Sequence, residues 1–537
     1  MESQQSRPIA QSDGSKRLTD GSILRNGPRV LALLAVISTS PALASASSPT
    51  SAIAHLPGVT VNTATVDTLG NIYLAGKTTT SAGSGAAYVA KLNPSGTTLY
   101  AVTIGGSGSS SSAATALAID STGAAYVAGT TTASDFPVSA GAAQSAGATA
   151  FAVKLDPAGT ITYAVLIGGS ATTQPSSIAV NSKRELLVSG QQTVANPQTA
   201  FISLFVLKLS ANGAQVIAGP QGIGGLLAVD SQDNIYVAGV PPAGSTQPAA
   251  TPGAFQGVPT IYYCGCPFLS FACGGNQFVA SLTPDLSQVR FLTYVTAKYG
   301  ALPAYIAIDA QGNILIAGAT AAPAYPTTPN SFEPTYTAAS TTVVTCGPPI
   351  PEEVTSPSGY VTLVKADGSG LIFSTFLSGT KSDNISFAAL TSAGIYLAGQ
   401  ASSVDLPGFD GAVPSACLPL GFVTRMTLDG ASLSSSRTPP GSPVAYDATT
   451  ATLLLVSGSD LLRFDPSQAT PIACVLDSAD LRPVTSIVPG ELLSAYGRFR
   501  YFVSNPFAAI NPVNGSFLTA FQGLTVTAGQ SHAPLLY

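Results

Sequence analysis

Residues 119–129 read IDSTGAAYVAG, and residues 151–169 read FAVKLDPAGTITYAVLIGG. In the second phrase Phe151, Val153 and Leu155 fall on one side of an extended chain, with Ala152 and Lys154 on the other. That period of two is the signature of a β-strand. Asp156-Pro157-Ala158-Gly159 is turn chemistry, and it closes a hairpin onto a further strand. The first phrase has the same grammar: an apolar strand ending in Asp, a polar turn, a second strand, then Gly. Together the two phrases describe four short antiparallel strands.

Both phrases recur along the chain. The first returns as VDTLGNIYLAG at 66–76, in altered form from Val180-Asn181 to Gly190, and cleanly from Val229-Asp230 to Gly239. It continues as IDAQGNILIAG at 308–318 and LTSAGIYLAG at 390–399, and in looser form from Tyr446-Asp447 to Gly458. The second phrase begins at Tyr88, Phe151, Phe205, Phe278, Tyr360 and Phe422 and, shortened, at Leu461. Repeats of this length, each four short strands, are the mark of propeller blades. A single unit cannot cover its own apolar faces, whereas seven stacked about an axis cover both faces of each. A linear solenoid would need polar capping repeats, and the ends carry none. The last unit is short, so Ser51 to Leu56 is the natural source of its outer strand, closing the ring. The expected fold is all-β: a seven-bladed β-propeller of four-stranded antiparallel blades over 52–470, followed by a small incomplete C-terminal β module at 471–537.

Composition agrees. Charged residues make up 9% of the 537-residue chain, against about 25% in ordinary soluble proteins. The hydrophobic fraction is 45%, so a packed interior is expected rather than disorder. Net charge is −5 with no basic run or stripe, which argues against nucleic acid. Arg25 and Arg29 precede the apolar run Val30–Ile37, and Ala42-Leu43-Ala44 supplies small residues for cleavage. Residues 1–44 are therefore expected to be an export signal, with 45–51 a linker. The rival reading of that run is a buried N-terminal helix. No segment offers about 18 uninterrupted apolar residues, so no transmembrane segment is expected.

The stretch from Gly129 to Gly169, with Ser134-Asp135-Phe136-Pro137 and Gly141-Ala142-Ala143-Gln144, resembles the bacterial seven-bladed β-propeller repeat family. Val404-Asp405-Leu406-Pro407 and Thr251-Pro252-Gly253-Ala254-Phe255-Gln256 carry the same pattern. The resemblance covers roughly 60–465. It implies a secreted propeller and brings no catalytic motif. The remainder resembles an uncharacterised C-terminal module of secreted bacterial proteins, on Val488-Pro489-Gly490-Glu491-Leu492-Leu493, Tyr496-Gly497 and Ala533-Pro534-Leu535-Leu536-Tyr537. In that module the last phrase lies inside a β-sandwich, so the copy here is expected to be partial.

Three sets of residues are candidates for chemistry. Asp67, Asp120, Asp230, Asp309 and Asp447 end the first strand of their units and would ring one mouth of the channel. Their bland role is to open turns by accepting backbone N–H bonds; the sharper one is to bind a cation, calcium being the one considered. Asn181 and Thr391 interrupt the ring. Lys91, Lys154, Lys208, Arg425 and Arg463 recur on the third strand, where the expectation is stems over apolar surface and charges in water. Cys264, Cys266, Cys273, Cys346 and Cys417 lie in insertions at 241–277, 321–359 and 400–420, all between second and third strands. Strand alternation sends those insertions to one face. After export, disulfides are the default over metal: Cys264 or Cys266 with Cys273, and Cys346 with Cys417, with Cys474 unassigned among the 15 pairings that six cysteines allow.

Catalysis finds little support. The only histidines, His55 and His532, lie outside the recognised units, so no Ser/His/Asp set forms within them. Trp is absent. Paired carboxylates for glycoside chemistry are not identified by any spacing. The expected function is a secreted, non-enzymatic scaffold binding a glycan, peptide or surface partner through the inserted loops, without a resident cofactor. The alternatives are a metal-assisted lyase or hydrolase at the channel mouth and a purely structural cell-surface protein. Mass spectrometry of secreted protein is expected to find an N-terminus between about Ser45 and Ser51; an intact Met1 on an unexported product contradicts the export reading.

Overall fold

A computed structural model describes residues 50–467, apart from 80–84, 108–109, 144–146, 170–171, 196–199, 243–244, 260–274, 338–340, 346–350, 409–419 and 439–440. It also describes strands at 30–34, 472–477, 492–497, 520–521, 524–528 and 531–533. Seven four-stranded antiparallel sheets account for the main body, and no helix occurs among the described residues. Blade 1 runs Val59–Val66, Ile72–Thr79, Gly85–Leu92, Thr98–Ile104, and blade 2 runs Ser112–Ile119, Ala125–Thr131, Ala150–Leu155, Ile161–Ile167. The first strand of each blade touches the first strand of the next, and Ser442–Asp447 of blade 7 touches Val59–Val66 of blade 1. First strands therefore line the axis, and the ring is closed.

Closure is made by the chain's N-terminal side. Thr50–His55 pairs antiparallel with Asp460–Phe464 and becomes the fourth strand of blade 7. The Leu56 N–H continues the ladder to the Ser459 carbonyl at 2.7 Å. His55 Nδ1 lies 2.7 Å from Asp460 Oδ1, both side chains exposed. His55 lies outside the recognised repeats but within the Ser51–Leu56 stretch expected to close the ring, and it sits on that closing strand. The segment after Phe464 goes elsewhere: Ile472–Asp477 pairs with Leu492–Gly497, which pairs with Val30–Leu34. The apolar run near the N-terminus thus contributes a strand to a separate three-stranded sheet.

Alternation decides the packing. On the second strand of blade 2, Ala125 and Val127 join Tyr73, Val89 and Ile104 of blade 1. Tyr126 and Ala128, facing the other way, join Ile178, Val188 and Leu209 of blade 3. Seven such clusters occur, one between each pair of neighbours, and Ile72, Leu74, Leu454 and Leu461 fill the one between blades 7 and 1. Full burial of a Val, Leu or Phe side chain contributes about 1.5–3 kcal/mol. Interfaces of this kind outweigh an exposed ion pair such as His55–Asp460, worth at most about 1 kcal/mol.

The closing glycine of the first phrase has a steric cause. In blades 1, 2, 3, 5 and 6 a β-bulge in the first strand adds one residue opposite that glycine. The bulge drives a carbonyl inward: a Cβ on Gly129 would sit 2.0 Å from the Ala113 oxygen, and one on Gly76 would sit 2.0 Å from the Thr60 oxygen. Gly190, Gly239, Gly318 and Gly399 are approached in the same way. The bare glycine is covered by the aromatic that opens the second phrase, through the pairs Gly76↔Tyr88, Gly129↔Phe151, Gly190↔Phe205, Gly239↔Phe278, Gly318↔Tyr360 and Gly399↔Phe422. Blade 7 departs from this. Its corresponding pair is Leu455↔Leu462, and Gly458 sits in the turn before the third strand with φ 59°.

Gly129→Ala is expected to lower stability by about 2 kcal/mol or more, because backbone rather than a flexible side chain must move. Gly169→Ala, where a Cβ meets nothing within 4 Å, is expected to change stability by less than about 0.5 kcal/mol. Urea unfolding of the two variants measures the difference.

Candidate functional site

Antiparallel alternation gives the ring two unlike faces. The turns after the first and third strands share one, and the connections between second and third strands share the other. The aspartates and the long insertions therefore lie on opposite faces.

On the turn face each aspartate is engaged by its own turn. Asp67 Oδ1 accepts the N–H groups of Leu69 (3.0 Å) and Asn71 (2.8 Å), and Oδ2 accepts Asn71 Nδ2 (2.9 Å) and lies 3.3 Å from the Tyr73 hydroxyl. Asp120 accepts from Thr122 N (2.9 Å), the Thr122 hydroxyl (2.5 Å), Ala124 N (3.1 Å) and the Tyr126 hydroxyl (3.1 Å). Asp230 repeats the set with Gln232 N, Asn234 N, Asn234 Nδ2 and the Tyr236 hydroxyl. Asp309 accepts from Gln311 and Asn313, and Asp447 from Thr449 and the Arg463 guanidinium. A carboxylate offers about four acceptor positions, and three or four are taken in each case. Where the aspartate is replaced, Asn181 accepts from Lys183 and Glu185, and Thr391 accepts from Ala393. A turn survives that exchange; a cation ring would not. Burial pushes Asp67, Asp120 and Asp230 upward, but the donors around them outweigh it and hold the carboxyls below their ordinary value.

The third-strand cations have partners too. Lys91 and Lys154 stand over the rings of Tyr73 and Tyr126, 4.8 and 4.7 Å from the centroids. Arg425 donates to the Ala393 carbonyl. Lys208 and Arg463 overturn the expectation of charges kept in water. The Lys208 side chain is 8% exposed, its Nζ lies 3.1 Å from Glu185 and donates to the Pro284 carbonyl, and Arg463 pairs with buried Asp447. In blade 3 the acid stands at 185 rather than 181, and the lysine is buried against it.

On the opposite face the described parts of the insertions in blades 2, 4 and 5 are bonded along the outer strands. In blade 4 the Thr251 N–H donates to the Leu292 carbonyl at 3.0 Å while its Oγ1 accepts the Leu292 N–H at 3.0 Å. Five residues on, Tyr294 N–H reaches the Gln256 carbonyl, and the Phe255 N–H reaches the Gly368 carbonyl in blade 5. Blade 5 repeats this with Thr328 on Ser374, Glu333 on Phe376, and Phe332 on Gly430 of blade 6. Blade 2 does so with Ser139 on Ala164 and Ala143 on Gly213 of blade 3. Each is a strap laid along the outer strand, covering an otherwise open sheet edge. The insertions of blades 4 and 5, expected as loops, thus begin as straps. The repeated spacing of a hydroxyl residue and, four places on, Phe or Ala was the sequence signal for it.

Beyond the straps the sequence of three adjacent blades continues through 257–277, 338–357 and 409–419, of which 257–259, 275–277, 341–345 and 351–357 are described. Thr341–Thr345 and Pro351–Thr355 pair antiparallel. Cys264, Cys266, Cys273, Cys346 and Cys417 lie outside the described residues. Cys474 lies on the strand Ile472–Asp477, opposite Tyr496.

Two carboxylates that no sequence spacing singled out sit near the straps' loop-face ends. Asp383, 1% exposed, accepts from Gly379 N (2.7 Å), Ser403 N (3.0 Å) and the Ser403 hydroxyl (2.6 Å). Glu333 accepts from the Thr337 hydroxyl (2.5 Å) and Ser378 N (3.1 Å). Burial raises both above their ordinary values, and Asp383 adds to the rise at Glu333. Their donors come from the neighbouring loops, so they fasten those loops. Among the described residues no group of three or more potential ligands is arranged to hold a metal ion, and no helix is long and apolar enough to cross a membrane.

No protein-family model and no curated protein matches the chain. Among solved structures it is similar to a protein of unknown function from Dyadobacter fermentans, at 8% identity and TM-score 0.35, covering 67% of this chain and 94% of that one. It is similar to the Pan2 WD40 domain of Neurospora crassa at 9% identity and TM-score 0.38, covering 76% and 90%. A third is a luciferin-regenerating enzyme, at 10% identity and TM-score 0.31, covering 72% and 92%.

Asp230→Ala is expected to cost about 1–3 kcal/mol, because two backbone N–H groups and two side-chain donors lose their acceptor. The loss is expected to be equal in calcium and in chelator, read by thermal melting. A calcium-dependent melting temperature that the substitution abolishes would restore the cation-ring reading.

Proposed function

We propose that the chain is a secreted, non-enzymatic propeller scaffold that binds an extracellular glycan, peptide or surface partner through the loop tips of blades 4, 5 and 6. The observation that carries this reading is the division of labour within the insertions. Straps use the first part of the insertions of blades 4 and 5, and the sequence beyond them, with 409–419 of blade 6, belongs to connections that strand alternation assigns to one face of three adjacent blades, without a counterpart in blades 1 and 3. Loops on a rigid repeat scaffold are where recognition concentrates. The tips are rich in Gly, Pro and small side chains and hold five of the six cysteines. In an oxidising compartment a disulfide across such a loop contributes roughly 2–4 kcal/mol and orders it for binding. Against the rival lyase or hydrolase at the channel mouth stands the saturation of the turn-face carboxylates by their own turns.

The export reading gains a constraint from ring closure. The mature chain has to keep Thr50–His55, so cleavage after Ala44 suits the fold and cleavage beyond Thr50 does not. A glycan and peptide array on the mature protein, with and without calcium, tests the proposal. Saturable binding lost on deleting 260–274 or 409–419 is expected. Calcium-dependent turnover of an arrayed glycan would favour the enzyme, and binding unchanged by both deletions would overturn the loop assignment.

A further inference from the structure

Blade 1 carries the receiving half of a strap, and no strap lies on it among the described residues. In blades 2, 4 and 5 the receptor has three parts. One is an outer-strand residue whose N–H and C=O both bond the strap's Ser or Thr: Ala164, Leu292 and Ser374. Next is the aromatic just before it, Tyr163, Phe291 or Phe373, which packs on a turn glycine of the following blade, Gly213, Gly368 or Gly430. Last is that glycine's carbonyl, which takes a strap N–H. Register identifies the counterparts in blade 1. Ala101 pairs with Ala90 as Ala164 pairs with Val153, Leu292 with Ala280 and Ser374 with Thr362. Tyr100 precedes it, and a Cβ on Gly159 would meet the Tyr100 ring at 2.6 Å, beside 2.8 Å at Gly213 on Tyr163.

All three parts are thus in place, and among the described residues no strap is bonded to them. Ala164, Leu292 and Ser374 are 2, 1 and 0% exposed beneath their straps. In blade 1 Thr98, Leu99, Ala101 and Thr103 are exposed, Leu99 at 55%. Blade 1 cannot cover itself. Only residues 80–84 join its second and third strands, a reach of about 18 Å at full extension with the return still to be made. The edge is also not defended. Thr98–Ile104 holds no charge and no proline, whereas blade 3, likewise without a strap among the described residues, follows its three-residue outer strand with Gly219-Pro220.

We propose that the outer edge of blade 1 is a docking site for an extended, uncharged segment of a partner protein with the strap's own chemistry: Ser or Thr, then four residues later Ala or Phe. Binding is strand addition. The hydroxyl residue brackets Ala101, the later N–H reaches the Gly159 carbonyl, and the apolar side chains cover Leu99 and Tyr100. The partner is uncharged because neither the edge nor the straps at 251–256 offer a charge to pair. The site lies on the perimeter and does not depend on the loop tips.

The probe is a synthetic peptide of residues 250–258, ATPGAFQGV, titrated into the full chain by fluorescence anisotropy. Saturable binding is expected, weakened at least tenfold when the peptide's Thr is replaced by Val and when the protein carries Ala101→Pro, which removes the edge donor. Hydrogen exchange on the unsubstituted protein supplies a readout that needs no variant. Amides of 98–104 are expected to exchange at least tenfold faster than those of 161–167, and to slow to match them when peptide is added. The proposal is overturned by absent binding, by binding indifferent to Ala101→Pro, or by 98–104 being as protected as 161–167 without peptide. A dimer of the chain that Ala101→Pro dissociates would assign the edge to a second copy instead.

Discussion

The second strand of each blade is buried on both faces along most of its length. Second-strand side chains such as Ala125 and Tyr126 point in opposite directions, and each enters a different apolar cluster. A stack built this way has two raw ends until they meet. Here they meet through Thr50–His55, which completes blade 7 and brings it against blade 1. Every other feature of the fold presupposes that meeting: the inner strands can line an axis only if the seventh touches the first. Closure also joins residues about four hundred positions apart, a pairing whose entropy cost grows only slowly with length.

Within a blade the arrangement rests on the contact between a bulged carbonyl and a glycine. The bulge bends the inner strand, the missing Cβ admits the carbonyl, and the aromatic opposite covers the space. The two recurrent phrases are therefore one device, the glycine ending the first being the cross-strand partner of the aromatic that starts the second. Blade 7 uses Leu455 and Leu462 at these positions, and it is also the blade whose last strand comes from outside its own repeat.

The fold was legible because the same constraint is written six times with little change, and because Ser51–Leu56 stood unclaimed beside a short last unit. Its details were less so. Gly458 matched the phrase by letter but occupies a turn. His55 fell outside the repeats because the closing strand precedes the first copy. Lys208 looked like its counterparts until Glu185, displaced along the turn, gave it a buried partner. Straps were hidden within the insertions, since three short echoes do not announce that they lie along an edge. Function is hardest to read for the opposite reason. The turn-face carboxylates repeat because every blade needs a turn, whereas the loop tips at 257–277, 338–357 and 409–419 share no repeated residue whose purpose alternation could explain. The recognition proposed above draws on the part of the chain that the repeat does not constrain.

Among the described residues the perimeter is strapped in blades 2, 4 and 5 and open at the outer strand of blade 1. Both arrangements depend on closure holding the blades in register. The most direct measurement of closure is hydrogen exchange on two chains, one beginning at residue 50 and one at residue 56, with a synthetic Thr50–His55 peptide added to the second. The account predicts that the shorter chain loses protection on both sides of the join, at 452–464 and at 59–92, and that the peptide restores it. Protection that is unchanged in the shorter chain, or lost at 460–464 alone, would contradict a ring closed by that strand.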